Sequence, residues 1–597
     1  HSLKSAWYRS YRIDPNGEEE ICEKFRSVYS ELYNSAGSGD EMNTIKQRVE
    51  ASVCEQSWDE VSKVTSEVVK LAAVTMKKSK GDVTGSYTSD AIRNAPDLLF
   101  DRLASVFRSW LCHGTVTRSL LACAFMPLLK NSMKDPAETK NYRAIAGSSL
   151  VLKLFDKVIL IVWGHLLTSG SLQMGYKRGS STAQCSYVMM ETVNYFLKNG
   201  SNPIMVALDM SSAFDKCRFD IMFQKIEARL PAVVTRALIF IYEQQFAWVK
   251  WGHTCKSEMF MISNGTRQGS VLSPTLFSVY VQDLLDELQN LGVGCHVGNT
   301  FLGAIAWADD FLLLAPNRAA MQLMLDHAAA FGLRNNLEFS CDPDPAKTKS
   351  KAIYMIGKDT RLRKPVNLQL YGKPLPWVSH ATHLGHEFHE DGTMNLDAKM
   401  KRGSFIGRSL EVRDAFGFAA PTQVLGAVKV FASDLYGGML WRLDSQPALQ
   451  VTRCWHTCVK DVWGLSRATH TATVRWLATP HTSLREDLLA RWAKYYQSLL
   501  SSASPEVATI ARITASDLRT TTGANNDLIR QLGLDPATAT PGEVREKVRA
   551  SEPVETEEQL ARLGLLTELL ERRGDDYYRG EEEDRELSTL IDFLCTG

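Results

Sequence analysis

Two apolar runs in this chain end in acid. Ile204-Met205-Val206-Ala207-Leu208 leads straight into Asp209, and Ile305-Ala306-Trp307-Ala308 leads into Asp309-Asp310, after which Phe311-Leu312-Leu313-Leu314 resumes the apolar pattern. The first run reads as a buried strand that delivers Asp209 at its end. The second reads as a β-hairpin holding both acids at its tight turn. An Asp-Asp pair between strands is most often an ordinary polar turn. The earlier strand changes that reading, because phosphoryl transfer with two metal ions needs carboxylates from separate strand ends converging on ions about 4 Å apart. Asp209 with Asp309 and Asp310 supplies such a cluster.

The spacing also matches a family. Asp209-x4-Phe214-Asp215, then Asn264-Gly265-Thr266-Arg267-Gln268-Gly269-Ser270-Val271-Leu272-Ser273-Pro274, then Ala308-Asp309-Asp310 resemble the A, B and C motifs of reverse transcriptases, in wording those of the non-LTR, LINE-type retrotransposons. The resemblance covers about residues 120–390 and implies a right-hand polymerase fold of class α+β. Its palm carries the three acids on an antiparallel sheet, with fingers before it and a helical thumb after it. The domains expected are a helical N-terminal extension (1–90), fingers (91–200), palm (201–394), thumb (395–501) and an acidic C-terminal tail (502–597).

Composition allows this and narrows it. The chain has 597 residues, 44% hydrophobic and 23% charged, which suits several soluble globular domains. No long uncharged apolar run occurs, since Ser148 to Leu167 is interrupted by Lys153, Asp156 and Lys157, so no membrane span is expected. The first residue is His1 rather than Met, which reads as a fragment or a processed piece. Twelve scattered cysteines suit a reducing compartment, and Cys454 and Cys458 read as buried thiols in a helix. The net charge of zero hides an asymmetry: residues 541–597 carry 16 acidic and 8 basic side chains, leaving 60 basic against 52 acidic before them. The body can therefore attract phosphates where the tail cannot.

The resemblance also implies roles. Lys130 and Arg143 match the Lys and Arg of the fingers hairpin that close over the incoming triphosphate, the guanidinium as a bidentate fork and the ammonium as a point charge. Gln173-Met174-Gly175-Tyr176-Lys177-Arg178 resembles the next motif, where Gly175 permits close backbone approach, expected to be to the template, with Arg178 beside it. Phe214 is expected under the sugar of the nucleotide, leaving no room for a 2′-hydroxyl and so selecting deoxynucleotides. Gln268 and Gly269 are expected to face the nascent base pair. Lys347 is the expected general acid for the departing pyrophosphate, with Lys349 as the alternative. His383-Leu384-Gly385 resembles the turn that grips the primer end. From Asn395 to Ser501 the periodicity is helical, with 14 basic and 8 acidic residues. There Lys399, Lys401 and Arg402 are the expected phosphate contacts, while the tryptophans read as bundle core rather than base-stacking platforms.

The resulting expectation is an RNA-directed DNA polymerase serving retrotransposition. Two Mg²⁺ ions would be held by Asp209 and Asp309, with Asp310 in support or as a direct ligand and Mn²⁺ as a substitute. The partners expected are an RNA template, a DNA primer or target and dNTPs, with no membrane. The nicking endonuclease would lie elsewhere in a longer polyprotein or act in trans, and the nucleus is the expected location. The alternatives are an intron-encoded or telomerase-like reverse transcriptase, and a non-catalytic nucleic-acid-binding protein derived from a polymerase.

Overall fold

A computed structural model describes residues 15–36, 41–55, 57–131, 134–252, 255–266, 269–357, 367–479 and 481–552; Gln268 and residues 553–597 of the expected tail lie outside them. The chain opens with helices α1 (Pro15–Leu32), α2 (Glu41–Ala51), α3 (Ser57–Ser62), α4 (Ser66–Val74), α5 (Ser89–Arg93) and α6 (Asp97–His113). Phe25, Tyr29 and Tyr33 recur every fourth position, so their rings share one face, which is buried against Tyr142, Trp251 and Phe125. Those partners belong to the first sheet. In it β1 (Ala122–Leu129) pairs antiparallel with β2 (Tyr142–Ser148), β4 (Phe246–Trp251) lies parallel to β1, and β5 (Cys255–Lys256) and β6 (Phe260–Met261) flank β4.

Between the hairpin and β4 run α7 (Leu150–Trp163), α8 (Thr182–Lys198), β3 (Ile204–Asp209), α9 (Ala213–Lys216), α10 (Phe219–Glu227) and α11 (Ala232–Glu243). The start of α8 is fixed by a capping box, Ser181 and Gln184 each bonding the other's backbone. After β4 come α12 (Ser273–Asn290), the small hairpin of β7 (His296–Val297) and β8 (Thr300–Phe301), then β9 (Ala304–Trp307), β10 (Asp310–Ala315), α13 (Arg318–Arg334) and β11 (Lys351–Tyr354). The Asn317 side chain caps α13 by accepting from Ala320 N at 3.0 Å. The helix continues through Gly332 to Arg334. A Cβ at Gly332 would meet the Tyr371 hydroxyl at 2.6 Å and the Leu337 carbonyl at 2.7 Å, so the glycine serves close packing.

The second sheet has the order β11-β3-β10-β9 with every pair antiparallel. Side chains alternate between its faces. Ile204, Val206, Leu208, Phe311 and Leu313 enter one hydrophobic core, whereas Met205, Leu312, Leu314, Ile305 and Ile353 enter another. A sheet buried on both sides has no polar alternation, which is why its strands read as unbroken apolar runs. The architecture is α+β, and the two cores meet across this sheet.

Beyond β12 (Gln369–Leu370) and β13 (Lys373–Pro374), the hairpin of β14 (His380–His383) and β15 (His386–His389) leads into a helical region. It comprises α14 (Asn395–Phe416), α15 (Pro421–Phe431), α16 (Gln446–Val462), α17 (Thr471–Ala478) and α18 (Leu484–Leu500). Trp441, Trp455, Trp463, Trp476 and Trp492 are all buried there, as are Cys454 and Cys458 on α16.

The chain after residue 502 departs from the expected tail. It continues as α19 (Pro505–Thr514), α20 (Thr521–Gln531) and α21 (Pro541–Ser551), capped by Ser504, Thr520 and Thr540. Polar contacts tie these helices to α8 and the loop before it: Ser171 donates to Glu506 at 2.6 Å, Lys198 pairs with Asp517 at 2.5 Å, and Tyr187 bonds Thr522 at 2.7 Å. Caps with proline at the first helical turn start two of them, and apolar faces against α8 and α18 hold the region in place. No helix among the described residues is long and apolar enough to cross a membrane.

Candidate active site

The antiparallel register puts Asp310 directly across from Asp209. Both lie on the face of the second core, and cross-strand partners place their Cβ atoms about 4.5–5.5 Å apart. Trp307 pairs with Asp310, so Ala308 and Asp309 alone make the β9–β10 turn. Ala308 takes φ +59°, the left-handed conformation that two-residue hairpin turns demand. The three acids therefore gather at one end of the sheet.

Their proximity has an electrostatic signature. Burial pushes the Asp310 carboxyl up to about 6, and the charges of Asp309 and Asp209 push the same way against the pull of Lys349. Burial also raises Asp309, and Asp209 adds to it, while its own backbone, Lys349 and Arg143 act in the opposite direction. Mutually repelling carboxylates with oxygen donors are what a hard divalent cation such as Mg²⁺ prefers. Among the described residues no three His, Cys, Asp or Glu side chains are grouped so that they could hold a metal ion as they stand. Instead the Lys349 ammonium donates to Asp209 Oδ1 at 2.9 Å, meeting the demand for positive charge.

That contact brings Lys349, the alternative, to the acids, where Lys347 does not reach. The Lys347 side chain is 69% exposed and reaches Asp344 at 3.7 Å rather than the acids. The reason lies in the loop. Asp342 and Asp344 each accept from the amide two residues on, winding residues 342–346 into turns, and Thr348 is then buried against Ser340. The next outward side chain is Lys349, beside the end of β3, where Asp209 N donates to Ser350 Oγ at 3.1 Å.

The β1–β2 hairpin brings further cations. Arg143 is exposed opposite Leu128 and is close enough to lower Asp309. Lys130 donates to the Lys140 carbonyl at 2.8 Å across the hairpin loop. Its ammonium is destabilised by burial first, then by Lys134, Lys349 and Arg143. A cationic rim thus faces an acidic floor. Phe214, on α9, is stacked on Phe277 with ring centroids 4.3 Å apart and met edge-on by Tyr176 at 6.5 Å.

Other expected contacts fall differently. A Cβ at Gly269, whose φ is +108°, would stand 2.8 Å from the Ala146 carbonyl of β2; at Gly175 it would stand 2.6 Å from Ala308 N. Both glycines therefore allow backbone to approach protein backbone, and for Gly175 that neighbour is the acid turn. Arg178 is exposed. Leu384 and Gly385 form the β14–β15 turn, both with positive φ, and the Tyr436 hydroxyl donates to Leu384 O at 3.1 Å. His383 and His386 flank that turn, buried, with all four ring nitrogens lacking partners. Lys401 donates to Gly385 O at 3.4 Å and lies over the Tyr436 ring, and Arg402 donates to Gln450 at 3.1 Å. Of the three expected phosphate contacts, Lys399 is the exposed one.

Two groups carry more of the site than their sequence context announces. Tyr33, wholly buried just after α1, donates to Asp215 Oδ1 at 2.5 Å, and Asn264 Nδ2 donates to both the Leu32 and Asp215 carbonyls. Nothing local in residues 25–33 signals this beyond the spacing of three aromatic rings. The second is the buried Gln173, a polar side chain amid apolar neighbours.

Residues 129–387 match the protein family described as reverse transcriptase (RNA-dependent DNA polymerase). The chain is 23% identical over 289 residues to the Retrovirus-related Pol polyprotein from type-2 retrotransposable element R2DM of Drosophila melanogaster, covering 48% of this chain and 26% of that protein. It is 24% identical over 304 residues to the RNA-directed DNA polymerase from mobile element jockey of Drosophila funebris, covering 49% and 32%. To the Retrovirus-related Pol polyprotein from type-1 retrotransposable element R2 of Nasonia vitripennis it is 22% identical over 263 residues, covering 44% and 25%. The similar stretch thus spans between a quarter and a third of those relatives' length.

Proposed function

We propose, from the premise that residues 129–387 belong to the reverse transcriptase family as the polymerases of non-LTR retrotransposons do, that this chain is an RNA-directed DNA polymerase. The observation that carries the reading is the pairing of Asp209 with Asp310, with Asp309 in the adjoining turn, under a rim formed by Lys349, Arg143 and Lys130. An acidic floor beneath a cationic rim suits a nucleoside triphosphate and its departing pyrophosphate. On this reading the β1–β2 hairpin belongs to the fingers, the second sheet to the palm, and α14–α18 to the thumb of a right-hand polymerase.

Asp209 and Asp309 would hold Mg²⁺, with Asp310 supporting them; bound there, two ions would lower the pKa of the primer 3′-hydroxyl and stabilise the leaving pyrophosphate. Arg143 binds triphosphate oxygens bidentately, and Lys130 adds charge beside it. Lys349 hands a proton to the leaving oxygen, the role first expected of Lys347. Phe214, packed on Phe277 and met by Tyr176, excludes a 2′-hydroxyl. The primer end lies by the Leu384-Gly385 turn. The substrates are an RNA template, a DNA primer and dNTPs. Action at nuclear target DNA, with nicking supplied by another part of a longer polyprotein or in trans, completes the proposal.

The test is primer extension on poly(rA)/oligo(dT) with Mg²⁺, comparing dTTP with UTP and the wild type with Asp309→Ala. Extension with dTTP, reduced in the variant by more than the roughly 10²–10³-fold typical of one lost oxyanion donor, is the expected result. A folded protein that binds the duplex but never extends it would overturn the reading.

A further inference from the structure

The Ala308-Asp309 turn has to hold a carboxylate in one place, yet its backbone is ill suited to do so unaided. Alanine at φ +59° is strained, because its Cβ crowds the carbonyl oxygen. A two-residue turn at a sheet end also leaves its own amide and carbonyl groups facing outward. In this protein those of Ala308 are buried, and both bond one side chain. Gln173 Oε1 accepts from Ala308 N at 2.9 Å, and Gln173 Nε2 donates to Ala308 O at 3.2 Å. The carboxamide oxygen accepts a second bond from Gly175 N at 3.0 Å.

The chain around Gln173 is built to present it. Ala306 N donates to Leu172 O at 2.9 Å and Met174 N to Ala306 O at 2.8 Å, so residues 172–174 run as a short parallel addition to β9. Gln173 is wholly buried, and its carboxamide orientation follows from its partners: two amides face the oxygen and one carbonyl faces the nitrogen. Gly175 lets this segment close on the turn, since any Cβ there would stand 2.6 Å from Ala308 N. Tyr176 then takes φ +61° and swings its ring onto Phe214. One short segment thus touches both the acid turn and the ring beside it.

We infer that Gln173 is a positioning residue for the reaction: its carboxamide clamps the strained backbone of Ala308 and so fixes where the Asp309 and Asp310 carboxylates stand. The inference rests on the polymerase reading for its kinetic consequence, but the clamp itself is a property of the fold. A glutamate at 173 accepts from the two amides but cannot donate to Ala308 O. Methionine fills the space and does neither.

The test compares wild type, Gln173→Glu, Gln173→Met, Ala308→Gly and the Gln173→Met/Ala308→Gly pair, all in the full chain. Steady-state extension on poly(rA)/oligo(dT) gives kcat and KM for dTTP. Hydrogen exchange of a peptide spanning residues 305–312 reports the turn without any need for activity. The expected result is loss of exchange protection in that peptide with distant helices unchanged. With it, kcat should fall about 10²-fold, as for a reacting group misplaced by about 1 Å, at unaltered KM. Ala308→Gly, which removes the left-handed strain, should restore part of the loss only in the Gln173→Met background. Gln173→Glu keeps the test decisive if the methionine variant does not fold, and should show the same loss in weaker form. Unchanged turn protection, or a loss confined to KM, would overturn the clamp. If wild type extends no primer but Gln173→Met still exposes the turn, the polymerase reading fails and the clamp stands. If wild type extends the primer and the turn is indifferent to residue 173, the clamp fails and the polymerase reading stands.

Discussion

Asp310 lies directly across two antiparallel strands from Asp209, and the pair shares one face of the sheet with Asp309 in the turn alongside. Three carboxylates in so small a space oppose the fold that holds them. The Asp310 carboxyl, raised from 3.8 to about 6 chiefly by burial, binds its proton more tightly folded than unfolded. Its contribution to stability is therefore present below about pH 4 and disappears as pH rises through about 6. Asp310→Asn should then stabilise the metal-free protein at pH 7.5 by about 1–3 kcal/mol, and by less at pH 5, while weakening Mg²⁺ binding. Thermal melts at the two pH values check it; a lower melting temperature at pH 7.5 would contradict the expectation.

Lys349, not Lys347, meets the acids. General-acid assistance to the leaving pyrophosphate accelerates such steps by about 10²–10⁴-fold, so Lys349→Ala should lower kcat within that range. Lys347→Ala should leave kcat unchanged, because its ammonium is out of reach. Single-turnover extension separates the chemical step from product release, and equal losses in the two variants would remove Lys349 from the role.

What is legible in the sequence divides by range. The acids are legible because each signal is local: an apolar run, a terminal Asp, a two-residue turn. The tryptophan core of α14–α18 is legible for the same reason. The choice of Lys349 over Lys347 is not, because it depends on Asx turns at Asp342 and Asp344 that set which side chain faces the acids. The helices after residue 504 do carry a signal, Ser504-Pro505 and Thr540-Pro541 with a glutamate soon after each proline, but the acidity of the last residues masks it. Gly175 reads as a site of close approach, yet sequence cannot say what approaches. The docking of α1 on Asp215 links positions 182 residues apart in the chain and has no local trace.

Phe214 owes its place to two other rings. Phe277 stacks on it and Tyr176 meets its edge, and on the polymerase reading this ring packing holds it where the sugar of the nucleotide would lie. Phe214→Val should admit ribonucleotides, and steric discrimination of this size, about 1–3 kcal/mol, corresponds to a change of about 10–200-fold in the dTTP/UTP ratio of kcat/KM. The wild-type and variant ratios measured on one template decide it. Unaltered discrimination would assign selection of the sugar to another residue.

Tyr33 joins the N-terminal helices to the active site. Its ring stacks on Phe125 of β1 at 4.9 Å, and its hydroxyl donates to Asp215. Burial raises the Tyr33 hydroxyl far above its ordinary pKa, and Asp215 raises it further, so it stays a donor at any working pH. Tyr33→Phe keeps the ring and removes only the bond; hydrogen bonds to charged groups contribute about 1.5–3 kcal/mol, and the denaturation midpoint should fall accordingly. Tyr33→Ala also opens a cavity under Phe125 and should cost about 3–5 kcal/mol. Extension activity distinguishes support from simple stability. If Tyr33→Phe lowers kcat under conditions where the protein remains fully folded, the hydroxyl orients Asp215 beside the nucleotide. A change in midpoint with kcat intact would confine Tyr33 to holding the N-terminal helices on the first sheet.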